Sequence, residues 1–238
     1  MDSSATERTR RLIGDDGVRK LEAAGALLFG LGGVGSWCAE ALVRAGLGRI
    51  GLVDRDAVSP SNLNRQLCAL VSTVGLRKTE VVRKRLLDVN PALQVEVFDI
   101  SYGADTAEKV PLAGWDVVVD AIDQVSAKVL LFERARAAGV ALVSAMGGGN
   151  KTDASRFRVA DLAETFKCPL AAAMRKKLRR AGIEHGAVVF SDETPRRPAV
   201  PESERGQRHA IPGTLPTVVG VEGLLLAQAA MDEILRRP

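Results

Sequence analysis

The sequence predicts an α/β fold with a doubly wound, mainly parallel sheet and a decorated C-terminal third. Three observations predict it. Strand-length apolar runs alternate with helix-length amphipathic segments from residue 26 to about 144, the signature of a parallel sheet covered by helices. One of these runs, 116–120, is continuously apolar between its flanking aspartates, as a strand buried on both faces requires. A glycine-rich turn, Gly30-Leu31-Gly32-Gly33-Val34-Gly35-Ser36, joins the first strand to the next helix.

Taken in order, the polar residues 1–11 end in Arg8, Arg10 and Arg11, and a short amphipathic helix with Leu12, Ile13, Val18 and Leu21 as its apolar set leads into the sheet. A strand over 26–30, the glycine turn, a helix to residue 45 stopped by Gly46, and a strand over 49–53 make one β-α-β unit. Residues 60–74 read as a loop with short helical turns. A helix over 77–89 is closed by Asn90-Pro91. Strands over 94–99 and 116–120, a helix over 126–138 and a strand over 140–144 complete a second unit. After Gly147-Gly148-Gly149 come a polar segment, a basic helix over 169–181, a strand over 187–191, a Pro/Arg-rich stretch over 195–212 and a final apolar helix. No repeat or clean linker divides the chain, so residues 1–238 read as one domain with a core over about 25–150 and an elaboration over about 151–238.

The composition, 46% hydrophobic and 26% charged with net charge +4, is that of a globular protein with a sizeable core. The first 20 residues lack the apolar stretch of a signal peptide, and the apolar run 217–231 is too short to span a membrane and carries Glu222. No membrane partner is expected. Cys38, Cys68 and Cys168 are odd in number and scattered, which excludes a disulfide framework and paired metal knuckles and suits a reducing cytoplasm. Positive charge concentrates in Lys167, Arg175, Lys176, Lys177, Arg179 and Arg180, then in Arg196, Arg197, Arg205 and Arg208. A solvated helix face followed by a loop and a nucleic-acid contact both remain open for this cluster. His185 and His209 are isolated and read as surface residues.

The chemistry is arranged around the glycine turn. Glycines allow close backbone approach to a phosphate, and the helix that follows presents free N–H groups and its positive dipole end. Asp54 lies 19 positions after Gly35 at the end of the second strand, where a carboxylate accepts hydrogen bonds from ribose hydroxyls. A nicotinamide-dependent oxidoreductase meets these criteria as well. The set Ser61-Asn62-Leu63-Asn64-Arg65-Gln66, followed by Lys78, supplies amide and cationic donors suited to a triphosphate, where a nicotinamide site wants an apolar pocket. Asp120 and Asp123 fall at and just beyond a strand's C-terminal end. Asp123 can hold Mg²⁺, and Asp120 reads as structural.

Together, the turn 30–36, Asp54-x-Asp56, Ser61-Asn62-x-x-Arg65-Gln66, Lys78 and Asp120-x-x-Asp123 resemble the ubiquitin-activating-type (ThiF/MoeB-like) adenylating superfamily. Arg11-Leu12-Ile13-Gly14, Asp161-Leu162-Ala163-x-Thr165, Pro169-Leu170-Ala171 and Val189-Phe190-Ser191 extend the resemblance to its tRNA threonylcarbamoyladenosine dehydratase branch, over nearly the whole chain. The resemblance implies a Rossmann-like sheet that binds ATP and Mg²⁺ and transfers AMP to a carboxylate. Gly30, Gly32, Gly33 and Gly35 would line the phosphates and Asp54 the ribose. Asn62, Arg65, Gln66 and Lys78 would bind the triphosphate and Asp123 the magnesium. Arg65 and Asp123 then rank as catalytic. Arg11 joins them, as the arginine that reaches a partner subunit's site and so implies a homodimer.

The branch's substrate is tRNA carrying threonylcarbamoyladenosine, whose activated carboxyl is closed to an oxazolone. Relatives that act on sulfur-carrier proteins commonly carry two C-x-x-C zinc pairs, which this sequence lacks. No zinc is expected, and activation of a ubiquitin-like carrier's C-terminal glycine stands as the alternative. Cys168 reads as a plain cysteine, and 195–212 departs from the branch's pattern. A non-catalytic nucleotide-sensing module is a further option that the nearly complete donor set argues against.

Overall fold

A computed structural model describes residues 4–197 and 212–237. Arg205, Arg208 and His209 lie outside the described residues. The seven strands are β1 (Gly25–Phe29), β2 (Arg49–Val53), β3 (Gln94–Phe98), β4 (Val117–Asp120), β5 (Ala141–Ala145), β6 (Phe157–Asp161) and β7 (Ala187–Ser191). The six α-helices are α1 (Glu7–Ala23), α2 (Gly35–Ala45), α3 (Lys78–Val89), α4 (Val125–Ala138), α5 (Pro169–Arg180) and α6 (Pro216–Leu235). The sheet order is β3-β2-β1-β4-β5-β7-β6, with every pairing parallel except β6 against β7.

Both faces of this sheet are covered, which is why its central strands read as unbroken apolar runs. Leu28, Ile50, Val119 and Val143 pack into one core with Leu42 of α2, Leu86 of α3 and Leu226 of α6. Leu27, Phe29 and Val118 face the other way, onto Trp115 and onto Leu131 of α4, and Val188 and Phe190 of β7 meet Met174 and Leu178 of α5. Each such leucine or phenylalanine stabilises the fold by roughly 2 kcal/mol through burial.

Two differences from the sequence reading have local causes, and the final apolar helix is found buried as read. Leu12 is 88% exposed, whereas Val18 and Leu21 are buried. α1 breaks at Gly14 (φ 73°, ψ 177°), which resets the helical phase and turns Leu12 off their shared face. The polar segment after residue 149 contains β6, an edge strand whose only buried residue is Phe157, so it lacks the apolar pattern of the inner strands. The last helix extends to Leu235 and encloses Glu222, which is fully buried.

Candidate active site

Chain connections leave β1 toward β2 and β4 toward β5 on opposite sides, and the crevice at the C-terminal ends of β1 and β4 is where such sheets bind ligands. The glycine turn occupies that crevice. Gly30 has φ 88°, and a Cβ there would stand 2.7 Å from the Ala121 carbonyl oxygen. A Cβ on Gly35 would stand 1.8 Å from the Gly30 oxygen. No side chain fits either place. α2 starts at Gly35, and its Ser36 and Cys38 amides donate to the Gly32 and Val34 carbonyls at 3.1 Å, so the turn winds directly into the helix's first coil with the positive end of its dipole at the crevice.

Asp54 ties this turn to the end of β2. Its Oδ2 accepts the Leu31 N–H (2.7 Å) and its Oδ1 the Asp56 N–H (2.8 Å). The Lys78 ammonium, 5% exposed at the start of α3, donates to Asp56 Oδ2 at 2.9 Å. The predicted donor loop comes back onto the turn. The Gly33 Cβ position is 3.3 Å from Arg65 Cγ, and that of Gly32 is 3.8 Å from Gln66 Nε2.

The loop's shape is set locally. Asn62 Oδ1 accepts the Ser59 N–H, the Asn62 carbonyl accepts the Arg65 and Gln66 amides, and the Trp37 indole donates to the Arg65 carbonyl at 3.3 Å. The Arg65 guanidinium donates to Ser61 O (2.8 Å) and Asn64 Oδ1 (2.9 Å), and stays half-buried beside the crevice. Gly30, Gly32, Gly33, Gly35, Asp54, Asn62, Arg65, Gln66 and Lys78 therefore meet on one edge.

The two aspartates after β4 separate into different environments. Asp120 is fully buried and bonds Lys128 Nζ (2.9 Å), Ser144 Oγ (2.6 Å) and the Ile122 N–H (3.1 Å). Lys128 also donates to the Ile122 carbonyl at 3.0 Å. Asp120 is thus structural. Asp123 is exposed and makes no ion pair or hydrogen bond among the described residues, which leaves both of its oxygens available. The described residues contain no cluster of three or more His, Cys, Asp or Glu able to hold a metal.

Arg11 is not brought to this edge within one chain. It sits exposed on α1, paired with Glu7, and α1 packs against the far ends of α2 and α6 near Ala45 and Met231. Cys168 is buried and donates to Met146 O at 3.3 Å, and burial pushes the Cys68 thiol above its ordinary pKa. His185 is exposed beside Asp161.

Four residues at this edge carried no sequence signal. Lys128 is one. Glu222 Oε1 accepts the Gly147 N–H at 2.7 Å while its Oε2 is buried without a partner. Burial raises the Glu222 pKa to about 7, against the pull of the Gly147 N–H, Lys151 and Lys128. Lys151 holds the Gly147 and Ser191 carbonyls at 3.3 and 3.1 Å. Asn150, at φ 62°, bonds both the N–H and the carbonyl of Gly213 at 2.8 Å, fixing the chain that enters α6. That chain borders the donor loop, since Asn64 Nδ2 donates to Thr214 O at 3.3 Å.

A glycine turn at the switch point of a parallel sheet, with a carboxylate at the end of the neighbouring strand and a donor loop folded back on the turn, defines a nucleotide-binding α/β protein. The chain belongs to the ThiF family, whose model matches residues 6–238. A tRNA threonylcarbamoyladenosine dehydratase of Bacillus subtilis is 43% identical over 189 residues, 79% of this chain and 74% of that protein. Its Escherichia coli counterpart is 40% identical over 171 residues, 72% of this chain and 64% of that protein. A crystal structure of the E. coli tRNA N6-threonylcarbamoyladenosine dehydratase TcdA in complex with ATP superposes with a TM-score of 0.88 at 33% identity, covering 98% of this chain and 94% of that one.

Proposed function

We propose that this protein is an ATP-dependent enzyme that adenylates the carboxylate of threonylcarbamoyladenosine in tRNA and closes it to the cyclic oxazolone form, releasing pyrophosphate and then AMP, which carries away the carboxylate oxygen that the nucleoside loses. The observation that carries this reading is likeness over the whole chain. The similarity to the dehydratase continues beyond the nucleotide-binding half through β6, α5, β7 and α6. The sequence also holds no C-x-x-C pair, the feature expected of relatives that act on sulfur carriers.

In this reading the turn at Gly30, Gly32, Gly33 and Gly35 and the N-terminal end of α2 hold the ATP phosphates, and Asp54 accepts from the ribose. Asn62, Gln66 and Lys78 orient the triphosphate. Arg65, facing Gly33, stabilises the charge that develops as the substrate carboxylate oxygen bonds the α-phosphorus and the bond to pyrophosphate breaks. The ureido oxygen then bonds the acyl carbon, AMP leaves, and the ureido nitrogen gives up its proton.

A single free carboxylate fits Mg²⁺, which is usually bound by one or two carboxylates together with substrate phosphates, so Asp123 would hold it. Bound there, the ion would neutralise phosphate charge. Arg11, displaced from the edge in its own chain, fits a role in a partner's site and so a homodimer. The continuous sheet through β7 and β6 supports one domain over residues 1–238. Among the described residues no helix is long and apolar enough to cross a membrane, and a cytoplasmic setting fits a tRNA substrate.

Nucleoside mass spectrometry of threonylcarbamoylated tRNA incubated with the protein, ATP and Mg²⁺ tests the reading. The cyclic nucleoside is expected, together with AMP. Absence of that product beside an active control overturns it, and acyl-adenylate formation on a sulfur-carrier protein would replace it.

A further inference from the structure

The basic helix α5 has no role in the site described above. Lys176, Lys177, Arg179 and Arg180 are exposed along it, and Arg175 is tethered to the Thr165 carbonyl at 2.8 Å. No carboxylate among the described residues pairs with any of these five cations, whereas most arginines elsewhere, such as Arg44, Arg77, Arg85, Arg134 and Arg156, are ion-paired. Four of the five, with Ala172, line a shallow concavity of about 410 Å³.

Their spacing works against the helix. Lys176 faces Arg179 and Arg180 at i+3 and i+4, and Lys177 faces Arg180 at i+3, each a destabilising like-charge contact. The helix's C-terminal dipole, equivalent to about half an elementary charge, compensates only part of this. An external polyanion supplies what the protein does not.

Position favours a ligand that also reaches the active edge. α5 begins beside the loop after β5, where Cys168 donates to Met146 O and Leu170 contacts Gly147. It then runs about 18 Å away, at 1.5 Å per residue. The cations fill the second half of α5, starting about 9 Å beyond its beginning at the edge, and match the charge and reach of a nucleic-acid backbone whose modified nucleotide occupies that site. We propose that this face of α5 binds the phosphodiester backbone of the tRNA substrate. The proposal rests on the tRNA reading above and extends it to a named surface, with stem phosphates as the ligand groups.

The test uses the full chain and the variant Lys176→Gln/Lys177→Gln/Arg179→Gln/Arg180→Gln. Filter binding of transcribed tRNA is measured across a salt series. Each lost phosphate contact lowers the slope of log affinity against log salt by about 0.9, so the slope is expected to fall by about 2 to 4 units and affinity by at least about tenfold. The variant is expected to melt at or above the wild-type temperature, since like-charge contacts are relieved, and to keep ATP affinity.

An unchanged slope overturns the proposal. So does unchanged tRNA binding accompanied by lost binding to vesicles of anionic lipid, which would assign the face to a membrane surface. A wild-type protein that binds no tRNA removes both this surface and the tRNA reading. One that makes no cyclic product yet binds tRNA through this face removes only the activity.

Discussion

The two sides of the active edge hold their loops by different means. Around β1 and β2 the chain is held by steric economy: glycines where no Cβ fits, and Asp54 bonded to two backbone amides. Around β4, β5 and α6 it is held by buried charge: Lys128 on Asp120 and the Ile122 carbonyl, Lys151 on two carbonyls, and Glu222 on the Gly147 amide. The first device makes a closely wound turn that no side chain fills. The second places loops of no fixed secondary structure beside it, and includes Glu222, whose pKa burial raises to about 7.

The sharpest way to break the phosphate side is Gly35→Ala. With a Cβ 1.8 Å from the Gly30 oxygen, the turn must open, and a loss of more than about 4 kcal/mol in urea unfolding is expected together with loss of ATP binding. Gly103→Ala, where a Cβ meets nothing within 4 Å, should stay within about 0.5 kcal/mol. Comparable effects from the two would refute the steric account.

On the charged side, Lys128→Met strands a fully buried Asp120, and about 3 to 4 kcal/mol is the expected cost. Adding Asp120→Asn should recover most of it, and a double variant no more stable than the single one would contradict the pairing.

Arg65→Ala is expected to lower kcat about 100-fold, or about 2.7 kcal/mol in the barrier, with its melting temperature nearly unchanged because the side chain is half-buried at the surface. Activity close to wild type would remove Arg65 from the reaction.

The smallest effect is on the charged side and is read by pH. Glu222 has its pKa raised from 4.5 to about 7 in the folded state, so the native protein holds a proton that the unfolded chain has released. The associated stability is complete below pH 4.5 and declines as pH rises to about 7, by on the order of 2 to 3 kcal/mol. Glu222→Gln, which cannot ionise, should flatten that decline when melting is followed from pH 5 to pH 8. The same slope in both proteins would show that another group is responsible.

This contrast also explains what the sequence made legible. The glycine turn, Asp54 and the 61–66 loop lie within one β-α-β unit and its extension, where chemistry and spacing are local, and their convergence on one edge follows from strand order. Lys128, Lys151 and Glu222 act on backbone groups that sequence spacing does not reveal. Glu222 bonds a residue 75 positions away, and its setting in an apolar helix reads as simple burial. β6 escaped notice because Arg158 and Asp161 break up its apolar residues and only Phe157 is buried, where an inner strand buries four or five. Arg11 illustrates the opposite limit: the motif is plain, yet one chain alone does not bring it to the others.

α6 reaches the turn at backbone range. A Cβ on Gly223 would stand 2.4 Å from the Val34 oxygen, and Val219 Cγ2 lies 3.0 Å from the Cβ position of Gly33. The turn appears early in the chain, and the helix that walls it appears near the other end. During synthesis the first β-α-β unit therefore leaves the ribosome with its glycine turn unsupported along one side. The site gains that wall only after α6 has emerged.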